Sequence, residues 1–468
     1  MLDVIIVGAG TAGLAALREV QKRTDRFLLV EQGPYGTTCA RVGCMPSKVL
    51  IEAANAFHRR HAFDAFGITG ADRLGVDVPA VLRRVRRLRD HFVESTLGAT
   101  RELGDKRLTG RARLVAPDTI EVAGERYRAR SIILATGTTP IVPAPMRELG
   151  ERVFTTDTLF ELDDLPQRLA VLGMGAIGAE MAQAAARLGV AVSAFELQPT
   201  MAGVSDPEVA SVLEAALRRE MGVHLGEAAE LRAVEGGIEV TAGEARVEVD
   251  GVLVALGRRP NVEGLGLDCL DTELDERGLP PVDPETMQIG DLPVFLAGDA
   301  NGQSAILHEA ADEGHIAGLN AVAAAIRRFP RRVPLGVVFV EPNVATVGQR
   351  FAELDRATTA IGAVSFERQG RSRTAERNEG LLRVYADRTT GRLLGAELAA
   401  PAGEHLAHLL ALAIERELTV PEMLRLPFYH PVIEEGLRTA LRRVSRELPP
   451  CGESDLAGCG AIGAEALD

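Results

Sequence analysis

The chain has 468 residues, enough for roughly three domains at about 150 residues each. Its 46% hydrophobic and 25% charged residues are ordinary globular values, which excludes a largely disordered, collagen-like or small disulfide-stapled protein. A net charge of −14, from 66 acidic and 52 basic residues, argues against nucleic acid as a partner, because one polyanion would have to approach another. No apolar run approaches the ~18 residues that span a bilayer. Met1 leads into the apolar run Val4 to Val7 with no basic leader and no cleavage site, so no membrane partner and a cytoplasmic setting are expected. Five cysteines in so long a chain point to chemistry rather than to a stabilising framework.

Residues 2–7 read as an apolar strand. Gly8-Ala9-Gly10-Thr11-Ala12-Gly13 follows, then a helical pattern to Val20, a second strand over 27–30, and Glu31. This is the dinucleotide fingerprint, with the acid 23 residues after the first glycine. Its first glycine makes the tight turn, the second lets backbone approach a pyrophosphate, and the third allows close helix–strand packing. The acid accepts hydrogen bonds from a ribose.

Next comes Cys39-Ala40-Arg41-Val42-Gly43-Cys44-Met45-Pro46-Ser47-Lys48. Residues five apart on a regular helix have Cα atoms roughly 9 Å apart, beyond the about 4.4–6.8 Å that a disulfide spans. A bridge here needs a distorted turn, which Gly43 allows. From the residues alone the pair is redox-active or two inert buried cysteines. No second cysteine pair or nearby histidine pair completes a metal-ligand set, so no metal is expected. Arg83, Arg84, Arg86, Arg87 and Arg89 then interleave with Val81, Leu82, Val85, Leu88 and Phe92 at helical spacing. That pattern predicts one solvated face of an amphipathic helix, with a docking patch for an acidic partner as the alternative.

A strand over 131–135 breaks at Thr136-Gly137. The fingerprint then repeats: a strand over 169–172, Gly173-Met174-Gly175-Ala176-Ile177-Gly178, a helical run to Leu188, and a strand over 190–195 ending at Glu196, again 23 residues after the first glycine. Leu197 and Gln198 follow, with no Arg or Lys to hold a 2′-phosphate, which favours NAD over NADP. Strands over 251–256 and 294–297 break at Gly257 and at Gly298-Asp299. After Pro334 the texture changes to strands over 337–340, 344–347, 381–385 and 393–398, with helical runs over 404–415 and 434–446, as in a separate α+β domain. Within it lies Phe428-Tyr429-His430-Pro431-Val432-Ile433-Glu434-Glu435, where Pro431 suits the first position of a helix. The stretch 449–468 is rich in Gly, Pro and Ala and carries Cys451 and Cys459.

By these motifs the chain resembles the flavin-dependent pyridine nucleotide–disulfide oxidoreductases, most closely their dihydrolipoyl-oxidising members, over residues 1 to 448. The resemblance implies an α/β fold of two Rossmann-like dinucleotide-binding domains plus a C-terminal α+β dimerisation domain. The FAD-binding domain would take 1–145 and 262–334, the NAD-binding domain 146–261, the dimerisation domain 335–448, and a flexible tail 449–468. It assigns Gly8, Gly10, Gly13, Glu31, Lys48, Thr136, Gly137 and Asp299 to FAD, and Gly173, Gly175, Gly178, Glu196 and Gly257 to NAD. It also implies that Cys39 and Cys44 form a redox-active disulfide, with Cys44 against the flavin and Cys39 attacking the substrate. Lys48 would pair with Glu180 beside the flavin, and His430 would be the acid–base group oriented by Glu435 and presented to the other subunit of a homodimer. The implied reaction oxidises dihydrolipoyl groups with NAD⁺, the partner being a lipoyl-carrying protein or a 2-oxo acid dehydrogenase-type complex. The alternative is an NAD(P)H-dependent reductase of another disulfide or of mercuric ion. Ala40 and Arg41 depart from the Leu-Asn that dihydrolipoyl-oxidising members usually carry there, and Phe428-Tyr429 from their usual His-Ala.

Overall fold

The computed structural model describes residues 1–449, so Cys451, Cys459 and nearly all of the tail lie outside the described residues. Leu2–Val7 is the middle of a parallel group. It pairs with Phe27–Glu31 on one side, which pairs in turn with Arg107–Thr109. On the other side is Glu125–Leu134, which also carries Val294–Leu296. Val4, Ile5 and Ile6 are fully buried, as a parallel strand covered on both faces requires. Parallel neighbours need a crossover, and the helix Thr11–Gln21 supplies it. That helix packs on Leu307–Ala321 at close range. A Cβ on Gly314 would lie 2.1 Å from the Ala12 carbonyl oxygen, and one on Gly318 2.6 Å from that of Ala16.

A second parallel sheet repeats the plan. Arg168–Leu172 pairs with Ala191–Glu196, which carries Gly222–Leu225, and with Gly251–Val254, which carries Val153–Phe154. Short strands Thr138–Pro140 and Arg258–Pro260 pair where the chain crosses between the two units. The third unit is a five-stranded antiparallel sheet ordered 335–338, 343–348, 393–400, 381–387, 359–365, with Gly403–Glu415 and Glu434–Ser445 against it.

The structure extends the predicted elements in three places. Glu125–Leu134 is twice as long as read, because its first half leaves the parallel layer to pair antiparallel with Thr119–Val122. A meander of Glu230–Val234, Gly237–Ala242 and Ala245–Val249 precedes Gly251, and Thr359–Ser365 forms an edge strand. The arginine-rich segment is the helix Val78–Arg101, with Leu82 and Val85 fully buried. Its basic face is only partly solvated. Arg86 donates to the carbonyls of Phe160 and Leu162 at 3.2 and 2.6 Å, and Arg89 pairs with Glu161. Among the described residues, no helix is long and apolar enough to cross a membrane.

Candidate active site

The helix Thr38–Val42 stops at Gly43, whose φ of −122° and ψ of −118° leave the helical region, and a new helix Cys44–His58 begins. This is the distorted turn that five-residue spacing demands. A Cβ on Gly43 would stand 3.1 Å from the Thr38 carbonyl oxygen and 3.2 Å from the Cys39 Cα, so a side chain there would press on Cys39. The half-buried thiols are hydrogen-bonded to each other. The bond from Cys39 brings the Cys44 thiol down to about 7, with help from the Lys48 ammonium and against burial. The same bond, together with burial, pushes Cys39 up. The Lys48 ammonium acts to lower both thiols, so it favours a thiolate within the pair.

Lys48 lies one turn beyond Cys44 on the same face. Its Nζ donates to both carboxylate oxygens of Glu180 at 2.9 and 2.8 Å and lies 4.5 Å from the Phe339 ring centre. Glu180 also accepts from the Phe339 backbone N–H at 3.0 Å. One ion pair thus joins the helix Cys44–His58, the second fingerprint helix Ala176–Arg187 and the antiparallel unit.

His430 Nδ1 lies 2.9 Å from Glu435 Oε1 and 3.2 Å from Oε2, and Val432 N–H donates to Oε2 at 3.1 Å. With Nδ1–H donating to the carboxylate, Nε2 is free to accept a proton. The imidazole side chain is 56% exposed while that of Glu435 is 11% exposed, so the dyad is anchored beneath and open above. Pro431 does not begin the helix as predicted. Residues 430–433 form a turn held by Gln369 Nε2 on the Val432 carbonyl at 2.7 Å, and the helix starts at Glu434. That turn lets the Glu435 carboxylate reach back to the ring. Among the described residues, no bond or ring contact within the chain joins His430 to Cys39, Cys44 or Lys48.

The two fingerprints have matching geometry. Glu31 accepts from Ala9 N–H at 2.7 Å and Glu196 from Met174 N–H at 2.6 Å. A Cβ on Gly13 would lie 1.8 Å from the Gly8 carbonyl oxygen, and one on Gly178 1.8 Å from that of Gly173. In contrast, a Cβ on Gly10 or Gly175 would meet nothing, because those turns face open space. A cleft of about 1370 Å³ runs from Gly8, Glu31 and Asp299 to Gly175 and Gly257. Thr136 lines it and has a buried hydroxyl without a partner. Bare helix N-termini, carboxylates at the strand ends and an orphaned hydroxyl in one cleft fit dinucleotides bound at both turns. Cys39, Cys44 and Lys48 do not line this cleft.

Three contributors were not read from the sequence. Thr138 donates to Asp299 Oδ2 at 3.1 Å and accepts from Arg258 Nε at 2.8 Å, tying the two units together. Glu313, fully buried, accepts from Gly298 N–H and Asn301 Nδ2, both at 2.7 Å, and so holds the Asp299 turn. Its burial pushes the carboxyl up to about 7. Phe339 has no motif around it. The acid fifteen residues after Gly298 on a helical pattern was the one available signal.

A family model described as pyridine nucleotide-disulphide oxidoreductase matches residues 2–314, and the model of that family's dimerisation domain matches 335–441. A dihydrolipoyl dehydrogenase from Thermus scotoductus is 34% identical over 467 residues, covering 95% of this chain and 98% of its own. A mercuric reductase from Staphylococcus aureus is 28% identical, covering 94% of this chain and 81% of its own. The crystal structure of LpdA from Mycobacterium tuberculosis shares the fold, with a TM-score of 0.83 at 24% identity over 95% of this chain and 100% of that one.

Proposed function

The chain belongs to the pyridine nucleotide–disulphide oxidoreductase family of flavin-dependent enzymes using FAD and NAD(H), and within it we propose that it oxidises dihydrolipoyl groups to lipoyl groups with NAD⁺. The observation that carries this reading is the 2.9 Å His430–Glu435 contact. A dithiol must surrender protons before its sulfurs attack, and a carboxylate-oriented imidazole with Nε2 open is the group for that task. The exposed Leu197 and Gln198 after Glu196 support NAD over NADP.

On this reading the cycle begins with Cys39 and Cys44 joined. His430 Nε2 takes the proton of one substrate thiol. The thiolate attacks Cys39 Sγ, forming a mixed disulfide, and Cys44 leaves as a thiolate. The Lys48 ammonium stabilises that charge. The second substrate thiol attacks the substrate sulfur bound to Cys39, closing the product disulfide, and its proton goes to the departing Cys39. Two electrons now reside on the dithiol, one proton on Cys39 and one on His430. Gly8, Gly10, Gly13, Glu31, Thr136, Gly137 and Asp299 would hold FAD, with Lys48 beside its ring. Gly173, Gly175, Gly178, Glu196 and Gly257 would hold NAD. When bound, these cofactors carry the electron pair from dithiol to nicotinamide as hydride.

Since His430 does not meet the cysteines within a chain, we place it against the Cys39–Cys44 pair of a second copy, making a homodimer the working unit. A lipoyl-carrying protein of a 2-oxo acid dehydrogenase-type complex would present the dithiol. The test is anaerobic turnover with dihydrolipoamide. We expect reduction of NAD⁺ well above NADP⁺, abolished in Cys44→Ser. No NAD⁺ reduction, with NADH instead reducing another disulfide or mercuric ion, would overturn the substrate.

A further inference from the structure

The helices Cys44–His58 and Ala176–Arg187 lie side by side and are bonded at two rungs. The near rung is Lys48–Glu180. At the far rung, Arg187 Nη1 donates to Asn55 Oδ1 at 2.6 Å. Asn55 is seven residues after Lys48 and Arg187 seven after Glu180, two helical turns in each case. The same faces therefore meet at both rungs. Between them the segment 339–341 is laced to the second helix. Glu341 N–H donates to Gln183 Oε1, and Gln183 Nε2 donates back to the Glu341 carbonyl, both at 2.8 Å.

Arg187 is the centre of this lacing, with its side chain only 3% exposed. It is bidentate to Glu220 at 2.8 and 2.8 Å and pairs with Glu341 Oε2 at 2.7 Å. Arg377, 3.5 Å from Glu341, and His58, 3.9 Å from Glu220, are the other ionisable groups around it. A buried planar guanidinium held by two carboxylates has one available position. Asn55 is bonded to that fixed point, so the axial register of the redox helix is set from its far end.

We infer that Arg187 is a positioning residue: through Asn55 it fixes the register of the Cys44–His58 helix against the Ala176–Arg187 helix, and thereby the point at which Glu180 of the second helix holds the Lys48 ammonium relative to Cys44. The inference rests on the reading that Lys48 stabilises the Cys44 thiolate. Within the chain the ionisable groups facing Cys44 are Cys39 on the helix Thr38–Val42, Lys48 on its own helix and Glu180 on the Ala176–Arg187 helix, and in the proposed dimer the imidazole of a second copy joins them.

The test follows the pH dependence of iodoacetamide alkylation of Cys44 in the dithiol-reduced holoenzyme, resolved from Cys39 by peptide mass. Lys48→Met, the reference, moves the inflection upward. Raising that inflection from about 7 to about 8 cuts the thiolate present at pH 7, and with it the alkylation rate, about fivefold. We expect Arg187→Met to reproduce about a threefold or larger part of that slowing, and the Lys48/Arg187 double variant to be no slower than Lys48→Met alone. Arg187→Lys, which keeps the charge but loses the fork, and Asn55→Ala, which leaves the carboxylate pairs intact, decide the matter if Arg187→Met does not fold. A lowered melting temperature with an unmoved inflection in these variants overturns the inference, since a purely structural pin would do only that. If Lys48→Met itself leaves the inflection in place, it is the Lys48–Cys44 reading that fails.

Discussion

A carboxylate five residues beyond a histidine reaches its ring only if the chain between them turns. Here the turn is fastened at Val432 from both sides, by Gln369 on its carbonyl and by Glu435 on its N–H. The neighbouring Glu434 shares the first helical turn, but among the described residues the hydrogen bonds and ion pair of His430 go to Glu435. Choosing between the two acids therefore becomes a kinetic question. Glu435→Gln can still accept from Val432 but no longer stabilises an imidazolium. We expect its kcat to fall about 10²-fold or more, with flavin absorbance and melting temperature little changed. Glu434→Gln should stay within about twofold of the parent, well inside the range expected of a surface change. Equal losses in the two variants would remove Glu435 from its role.

At the scale of elements, the two fingerprints are independent copies of one packing solution. In each, the third glycine lets its helix rest on the carbonyl of the first at a distance no side chain tolerates. Overpacking costs roughly 1–3 kcal/mol, and at a ligand-binding turn a penalty of that size is about five- to 150-fold in affinity. Gly178→Ala should therefore raise the NAD⁺ KM at least about fivefold while the purified protein stays fully flavin-loaded. Gly13→Ala should be isolated flavin-depleted. The measurements are flavin-to-protein absorbance ratios and NAD⁺ titrations of turnover. Flavin loss from Gly178→Ala would show that the turns are not separable.

The whole molecule raises the question of where His430 finds its disulfide. Among the described residues, no hydrogen bond, ion pair or ring contact within one chain joins the dyad to the Cys39–Lys48–Glu180 group. A two-fold assembly exchanging the dyads would complete two sites at once. Co-expression of differently tagged Cys44→Ser and His430→Ala chains tests this. In a mixed dimer one composite site would carry both lesions and the other neither. Isolated mixed dimers should recover about half of the parental turnover if sites form across the two-fold. Recovery near zero would mean that each chain uses its own histidine.

The sequence by itself determined the two glycine turns, their acids and the cysteine spacing. Each is a local requirement of backbone conformation that only a few residue types satisfy, so it shows in a short window. It also revealed the duplicated βαβ plan, since buried parallel strands are continuous apolar runs. Tertiary structure decided what depends on partners far away in the chain. It turned two of the five arginines of the basic helix face, Arg86 and Arg89, into a tether on 160–162 and left Pro431 in a turn ahead of the helix that starts at Glu434. It also placed Thr138 under Asp299 and set Arg187 at the meeting point of three segments. A buried arginine in an alanine-rich helix looks like a surface residue until the carboxylates that neutralise it arrive from positions 220 and 341. Burying a charge is favourable only through such distant pairing, and no local window contains it.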